Sequence, residues 1–133
     1  MLDNTIVQHL LDTYVKAIHE QDTDLFQSIW AGTQEDTLIA VTTIFHGPKA
    51  IQQDFLMGAI RKTFTLIDLF IDKEPIIHAL GPDDAIIIFP YHTECTKRET
   101  GEAFSIQGWE TQVLKKIDGV WKIFHDHYSM SAN

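Results

Sequence analysis

The segment WKIFHDHYS (Trp121–Ser129) concentrates groups that can do chemistry: two histidines, a carboxylate between them, and a tryptophan and a tyrosine near its ends. As a strand it alternates, so Trp121, Ile123, His125 and His127 share one face while Lys122, Phe124, Asp126 and Tyr128 share the other. Paired histidines on one strand face can bind zinc, but a catalytic zinc site needs a third ligand and an open position. His92 has the parity to be that ligand, and Glu94 could substitute for it. No H-E-x-x-H or C-x-x-C spacing accompanies them. The reading taken is that no metal is bound and that these imidazoles are hydrogen-bonded packing groups.

The second face offers acid/base chemistry. The preceding strand carries Glu110, Gln112 and Leu114, and Asp118-Gly119 between the two strands is a strong hairpin signal. A three-residue loop with a glycine bulge would bring Glu110, Gln112 and Leu114 to the face of Asp126. A two-residue turn would instead pair Gln112 with His125 and Glu110 with His127. A one-residue slip swaps the faces, and sequence leaves both registers open. In the bulged register Glu110 and Asp126 are near neighbours. Two close carboxylates in a partly buried site split their pKa values and leave one protonated near neutrality, which suits a general acid/base pair. The alternative is that one or both lie at a solvated mouth. Elsewhere, His46 ahead of Gly47-Pro48 reads as a turn residue, and Cys95, without an activating partner, as an inert buried thiol. No G-x-S-x-G or G-x-x-x-x-G-K stretch supports a serine hydrolase or a P-loop.

The elements that must position these groups follow from periodicity. Val7, Leu10, Leu11, Tyr14 and Ile18 recur at helical spacing between Asp3 and His19, with Tyr14 on the apolar face. Asp22 reads as the N-cap of a short helix running to about Trp30. Thr37 to Phe45 is β-branched and strand-like, and Pro48 suits the first position of a third helix ending near Ile60. From Phe64 to Asp72 the period is two, with Phe64, Leu66 and Phe70 on one face and Thr65, Ile67, Leu69 and Ile71 on the other. Strands are predicted over Ala85 to Lys97, Ala103 to Ile117 and Val120 to Met130, with turns at 81–84, 98–101 and 118–119. Helices first and a meander of strands after indicate an α+β domain with helices on one sheet face. Because Leu114 and Phe124 lie on one parity and Val113, Trp121 and Ile123 on the other, the uncovered face is expected to meet a second copy, giving a homodimer through the outer sheet face.

Composition narrows the partners. The chain has 133 residues, enough for one domain over 1–133, with 44% hydrophobic and 22% charged residues. A formal net charge of −9 and only scattered basic dipeptides argue against nucleic acid and anionic membranes. The longest apolar run, Ala85 to Phe89, is far too short to span a bilayer, and the N-terminal residues show no signal peptide. One cysteine fits a reducing compartment, so a cytoplasmic protein is expected.

VLKKIDGVWKIFHDHYS resembles the C-terminal hairpin of SnoaL-like domains in the nuclear transport factor 2-like (cystatin-like α+β) superfamily, with its D-G turn and H-x-H-x-S ending. TYVKAIHEQDTDLFQSIW is similar to that family's first two helices, and FHGPKAIQQDF to the entry of its third. The resemblance covers nearly the whole chain. It implies a cone, a strongly curved antiparallel sheet wrapped around three N-terminal helices, with a pocket on the concave face. It also implies that Phe124, Asp126 and Tyr128 face that pocket. In the bulged register the pocket's polar set is Tyr14, Tyr91, Glu110, Gln112, Asp126 and Tyr128, with Tyr14, Glu110, Asp126 and Tyr128 as candidate catalytic groups. Trp30, Phe89, Leu114 and Phe124 join Tyr91 and Gln112 as ligand-binding wall. Tyr14 matches the oxyanion-donating tyrosine of ketosteroid isomerases, but Leu38 to Val41, where those enzymes carry their base, holds no acid. Two functions are carried forward. One is a small-molecule pocket protein doing acid/base chemistry, with no cofactor, on a small hydrophobic or cyclic carbonyl-type ligand. The other is a non-enzymatic ligand-binding or dimerisation module.

Overall fold

The structure is a computed structural model that describes residues 2–132; Met1 and Asn133, the ends of the expected 1–133 domain, lie outside the described residues. Capping residues set the first helices. Asp3 accepts a hydrogen bond from Ile6 N (2.9 Å) to open α1 (Asn4–Glu20), and Gln21, left-handed at φ 53°, closes it by donating to the Ala17 and Ile18 carbonyls. Val7, Leu10, Leu11, Tyr14, Ala17 and Ile18 form its buried stripe. Asp22 caps α2 (Thr23–Ser28) through Leu25 N at 3.0 Å, so this helix ends before Trp30. A third helix, labelled α3 (Ala50–Arg61), follows Pro48 as expected and is wound with the wider π pitch. That winding is usually confined to single turns, often near functional sites. It buries Ile51, Phe55, Leu56 and Ile60.

The run expected as one strand from Thr37 to Phe45 is instead a hairpin of β1 (Thr37–Ala40) and β2 (Thr43–His46), reversed at Val41 with φ 59°. β-Branched residues favour extended backbone but do not say where it turns. The remaining strands are β3 (Phe64–Ile71), β4 (Ile76–Ala79), β5 (Asp84–Lys97), β6 (Ala103–Ile117), β7 (Val120–Tyr128) and β8 (Ser131–Ala132). They join in the order β2-β1-β7-β6-β5-β3, with β4 paired to β5 and β8 to β6.

This order corrects the expected cone. The sheet is open, with β2 and β3 at separate ends rather than paired, and it is neither strongly curved nor closed around the helices. It is also mixed, because β1 runs parallel to β7 while the other pairs are antiparallel. The α+β arrangement with three helices stands. The core forms between the helices and one sheet face, where Leu38, Ile87, Phe89, Leu114 and Ile123 are fully buried. Each such side chain contributes about 1.5–3 kcal/mol relative to exposure.

β3 departs from simple alternation. Its register against β5 slips between Phe64 and Leu66, so Thr65 is an extra residue and Phe64 joins Ile67 and Leu69 on the buried side, leaving Leu66 and Phe70 exposed. No helix of the described residues is long and apolar enough to cross a membrane.

Candidate functional site

The direction in which Asp126 points is decided by two local features of the last hairpin. Asp118 and Gly119 have φ of 50° and 80°, and Ile117 pairs directly with Val120, so the turn has two residues and not three. Continued unbroken, that register would set Gln112 opposite His125. It is broken by a β-bulge at Phe124: Leu114 pairs with Ile123 but Val113 pairs with His125. Beyond the bulge Gln112 faces Asp126 and Glu110 faces Tyr128. The turn is thus the two-residue alternative, and a bulge within β7 does what a glycine bulge in the turn would have done.

The bulge also corrects the parity of three residues. Trp121 and Ile123, expected on the histidine face, are buried in the core. Phe124, expected beside Asp126 in the pocket wall, is the bulged residue and is half-buried, with Lys115 Nζ 4.6 Å from its ring centroid. It is not among the residues around the cavity described below.

Three strands and α1 deliver the polar groups. Glu110 (1% exposed), Gln112 (0%) and Asp126 (0%) are buried together beneath Tyr14. Tyr14 Oη donates to Asp126 Oδ2 (3.2 Å), and Gln112 Nε2 donates to Glu110 Oε2 (3.2 Å). Burial raises the pKa of Asp126 well above the usual carboxylate range, and the neighbouring Glu110 carboxylate raises it further. Burial also raises Glu110, but its polar neighbours Asp126, Tyr14 and Gln112 pull the other way. Glu110 is therefore the first to ionise, and Asp126 is the one that keeps its proton. Asp126 Oδ1 is buried with no hydrogen-bond partner among the described residues, which would strand an ionised carboxylate. Two other buried polar atoms, Gln112 Oε1 and Trp30 Nε1, have no partner, and nothing in the structure explains them. Tyr14, Tyr91 and Tyr128 are all raised, chiefly by burial and then by these carboxylates, so they remain protonated donors.

A cavity of about 40 Å³ adjoins this cluster. Its polar lining is Tyr14, Tyr91, Thr93, Glu110 and Tyr128. Its apolar lining comes from α3 (Phe55, Ile60), β3 (Ile67, Leu69), Ile18 and Ile106. Asp126 and Gln112 stand one layer behind, in contact through Tyr14 and Glu110. Trp30, Phe89 and Leu114 are buried core residues outside the lining. Alternation from Tyr91 would have indicated Thr93, whereas the bulge at Thr65 hid Ile67 and Leu69 by shifting their face relative to Phe64.

The last residue of the H-x-H-x-S pattern also acts here. Ser129 N donates to Trp109 O (2.9 Å), Trp109 N donates to Ser129 Oγ (3.1 Å), and Tyr91 Oη donates to Ser129 O (2.7 Å). Gly108 makes this crossing possible: a Cβ there would lie 2.1 Å from Ser129 O. The crossing fixes the Tyr91 hydroxyl in the cavity wall.

The histidines lie on the other face, where the His125 and His127 rings are 6.2 Å apart and His92 stands away from both. His125 Nδ1 lies 2.6 Å from Thr37 Oγ1, and burial, then His127, lowers its pKa, so it is neutral at neutral pH. His92 bonds Asp72 (2.6 Å) and stacks on Phe70. His92 pairs with Gln107 and His127 with Thr111, so they sit four positions apart along β6. Among the described residues no group of three or more His, Cys, Asp or Glu is disposed to hold a metal ion.

The chain belongs to the SnoaL-like domain family, whose model matches residues 7–133, within the nuclear transport factor 2-like superfamily. A nuclear transport factor 2-like superfamily protein from Salmonella enterica serovar Typhimurium superimposes with a TM-score of 0.91 at 27% identity, over 98% of this chain and 92% of that one. The hexachlorocyclohexane dehydrochlorinase LinA-type3 from Novosphingobium barchaimii shares the fold at 16% identity and a TM-score of 0.82, over 96% and 85% of the two chains. A Xanthomonas campestris protein proposed as a calcium/calmodulin-dependent protein kinase II association domain does so at 21% and 0.77, over 94% and 85%. No curated protein matches the chain.

Proposed function

We propose that this chain is a pocket protein performing acid/base chemistry, without a cofactor, on a small hydrophobic or cyclic carbonyl-type ligand. The observation that carries the reading is the fully buried Glu110–Asp126 pair at the wall of a cavity, with pKa values raised unequally. Such a pair supplies a base and an acid in one dry site. Glu110, which lines the cavity, is the base that takes a proton from the ligand. Asp126 holds the second proton behind it. Tyr14 fixes Asp126, and Tyr128, which has no hydrogen-bond acceptor among the described residues, is the donor that polarises a carbonyl oxygen. Gln112 holds Glu110, while Trp30, Phe89, Tyr91 and Leu114 stiffen the wall. The dehydrochlorinase of the same fold acts, by its name, on hexachlorocyclohexane, a cyclic apolar molecule, which supports the ligand class.

The test is solvent deuterium exchange at carbons next to the carbonyl of small cyclic ketones, followed by NMR. The protein should accelerate exchange, and the double substitution Glu110→Gln with Asp126→Asn should abolish it; unchanged exchange in the double variant removes the acid/base role.

The second reading, a non-enzymatic binding or dimerisation module, is favoured by the cavity's size. About 40 Å³ holds roughly three waters, whereas drug-sized ligands occupy about 300–1,000 Å³. Native mass spectrometry of the purified protein separates the two: a retained small molecule without turnover favours binding alone. We also place a homodimer contact on the outer sheet face, where Trp109 (52%), Leu66 and Phe70 are exposed, although Trp121 and Ile123 do not contribute to it. Light scattering that finds a monomer in dilute solution would remove it. The single, buried cysteine suits a reducing compartment such as the cytoplasm.

A further inference from the structure

The polar groups around the cavity are unbalanced in charge. Glu110 lines it, and among the described residues no lysine, arginine or histidine does. Two of the hydroxyl protons are already committed, Tyr14 to Asp126 (3.2 Å) and Tyr91 to Ser129 O (2.7 Å), so these oxygens offer lone pairs to a ligand. Thr93 Oγ1 accepts from Ile106 N and Cys95 Sγ, both at 3.2 Å. Aromatic rings surround the same space: Tyr128 lies 6.3 Å from Phe55 and 5.9 Å from Tyr91, the latter edge-on at 83°. A carboxylate facing aromatic walls is the combination that attracts a cation, through direct charge and through the ring faces. An anion would place a second negative charge against Glu110 in a low-dielectric site. The formal net charge of −9 acts in the same direction at long range, raising the local concentration of cations.

We infer that the cavity selects a small apolar amine, bound as its ammonium ion with the nitrogen at Glu110 and the alkyl part against Ile67, Leu69 and Phe55. The inference rests on the pocket reading above but not on its acid/base step, and it adds a charge requirement to the hydrophobic ligand proposed there. The ammonium neutralises the one buried charge of the pair and gives its hydrogens to Glu110 and to the free lone pairs of Tyr14 and Tyr91.

The test uses a size-matched trio, isopropylammonium, acetone and acetate, titrated at constant ionic strength into the full chain and followed by amide NMR shifts of Thr93, Glu110 and Tyr128. Isopropylammonium should bind about tenfold or more tighter than acetone, and acetate should not bind. Glu110→Gln should reduce the ammonium preference to about twofold or less, while Glu110→Asp, which keeps the charge, should retain it. Thermal unfolding of both variants establishes that they fold. Acetone binding as tightly as the amine, or a preference that survives Glu110→Gln, overturns the charge requirement and leaves the pocket reading in place. Acetate binding best overturns the inference outright. Shifts at none of these residues with any probe overturn the inference and the pocket reading together.

Discussion

Replacing Asp126 with asparagine removes the proton-holding member of the buried pair and keeps its shape. The new amide can still accept from Tyr14 and carries no ionisable proton, so the comparison isolates one ionisation. In the unfolded chain an aspartate titrates near about 3.9. In the folded chain Asp126 is raised well above that, by burial first and by Glu110 second. A raised folded-state pKa means that the stability contributed by the bound proton is complete below about pH 4 and is lost as pH rises through the folded value. Within that window the native state holds one proton more than the unfolded state. Its stability therefore declines by about 1.4 kcal/mol for each pH unit. The Asp126→Asn variant carries no such proton, and only the smaller contribution from the raised Glu110 remains. Urea unfolding of wild type and Asp126→Asn, repeated from about pH 5 to about pH 8, gives the difference directly, because the other carboxylates cancel. The variant should gain on wild type by up to about 1.4 kcal/mol per pH unit and be the more stable protein at the alkaline end. Parallel curves would refute the assignment of the raised pKa to Asp126.

Tyr14→Phe leaves Asp126 Oδ2 buried without its donor and should cost about 1–3 kcal/mol in chemical denaturation, with little change in secondary structure by circular dichroism; a neutral effect would show that this bond is not made. Gly108→Ala drives a Cβ to within 2.1 Å of Ser129 O, so it should destabilise by about 1–3 kcal/mol and free the Tyr91 hydroxyl, seen as a shift of the Tyr91 ring resonances. Unchanged stability and ring shifts would mean that the Gly108–Ser129 crossing has no part in fixing Tyr91.

What could be read from the sequence differs from element to element for physical reasons. Helix α1 was legible because its buried stripe recurs at local helical spacing, and so was the start of α2 from its cap Asp22. The hairpin pattern ending in Ser129 was enough to identify the family. The parallel pairing of β1 with β7 was not legible, since Thr37 and His125 meet only through the tertiary fold. The cone failed for the same reason: closure and curvature depend on which strands end the sheet. Faces were readable only as far as alternation held. The extra residues at Thr65 and Phe124 each shift the register by one, which hid Phe64 and Ile67 as same-side neighbours and reversed Trp121, Ile123 and Phe124. The inward position of Asp126 therefore depends on a bulge at Phe124 that the turn sequence Asp118-Gly119 gives no sign of.

The protonation of the buried pair is measured most directly by carboxyl-carbon NMR of selectively labelled Glu110 and Asp126. Followed from acid to alkaline pH, Glu110 should ionise first and Asp126 should keep its proton through neutrality, each resonance moving with the other's titration. Two independent titrations near the ordinary values of about 4, with both groups ionised at neutral pH, would contradict it.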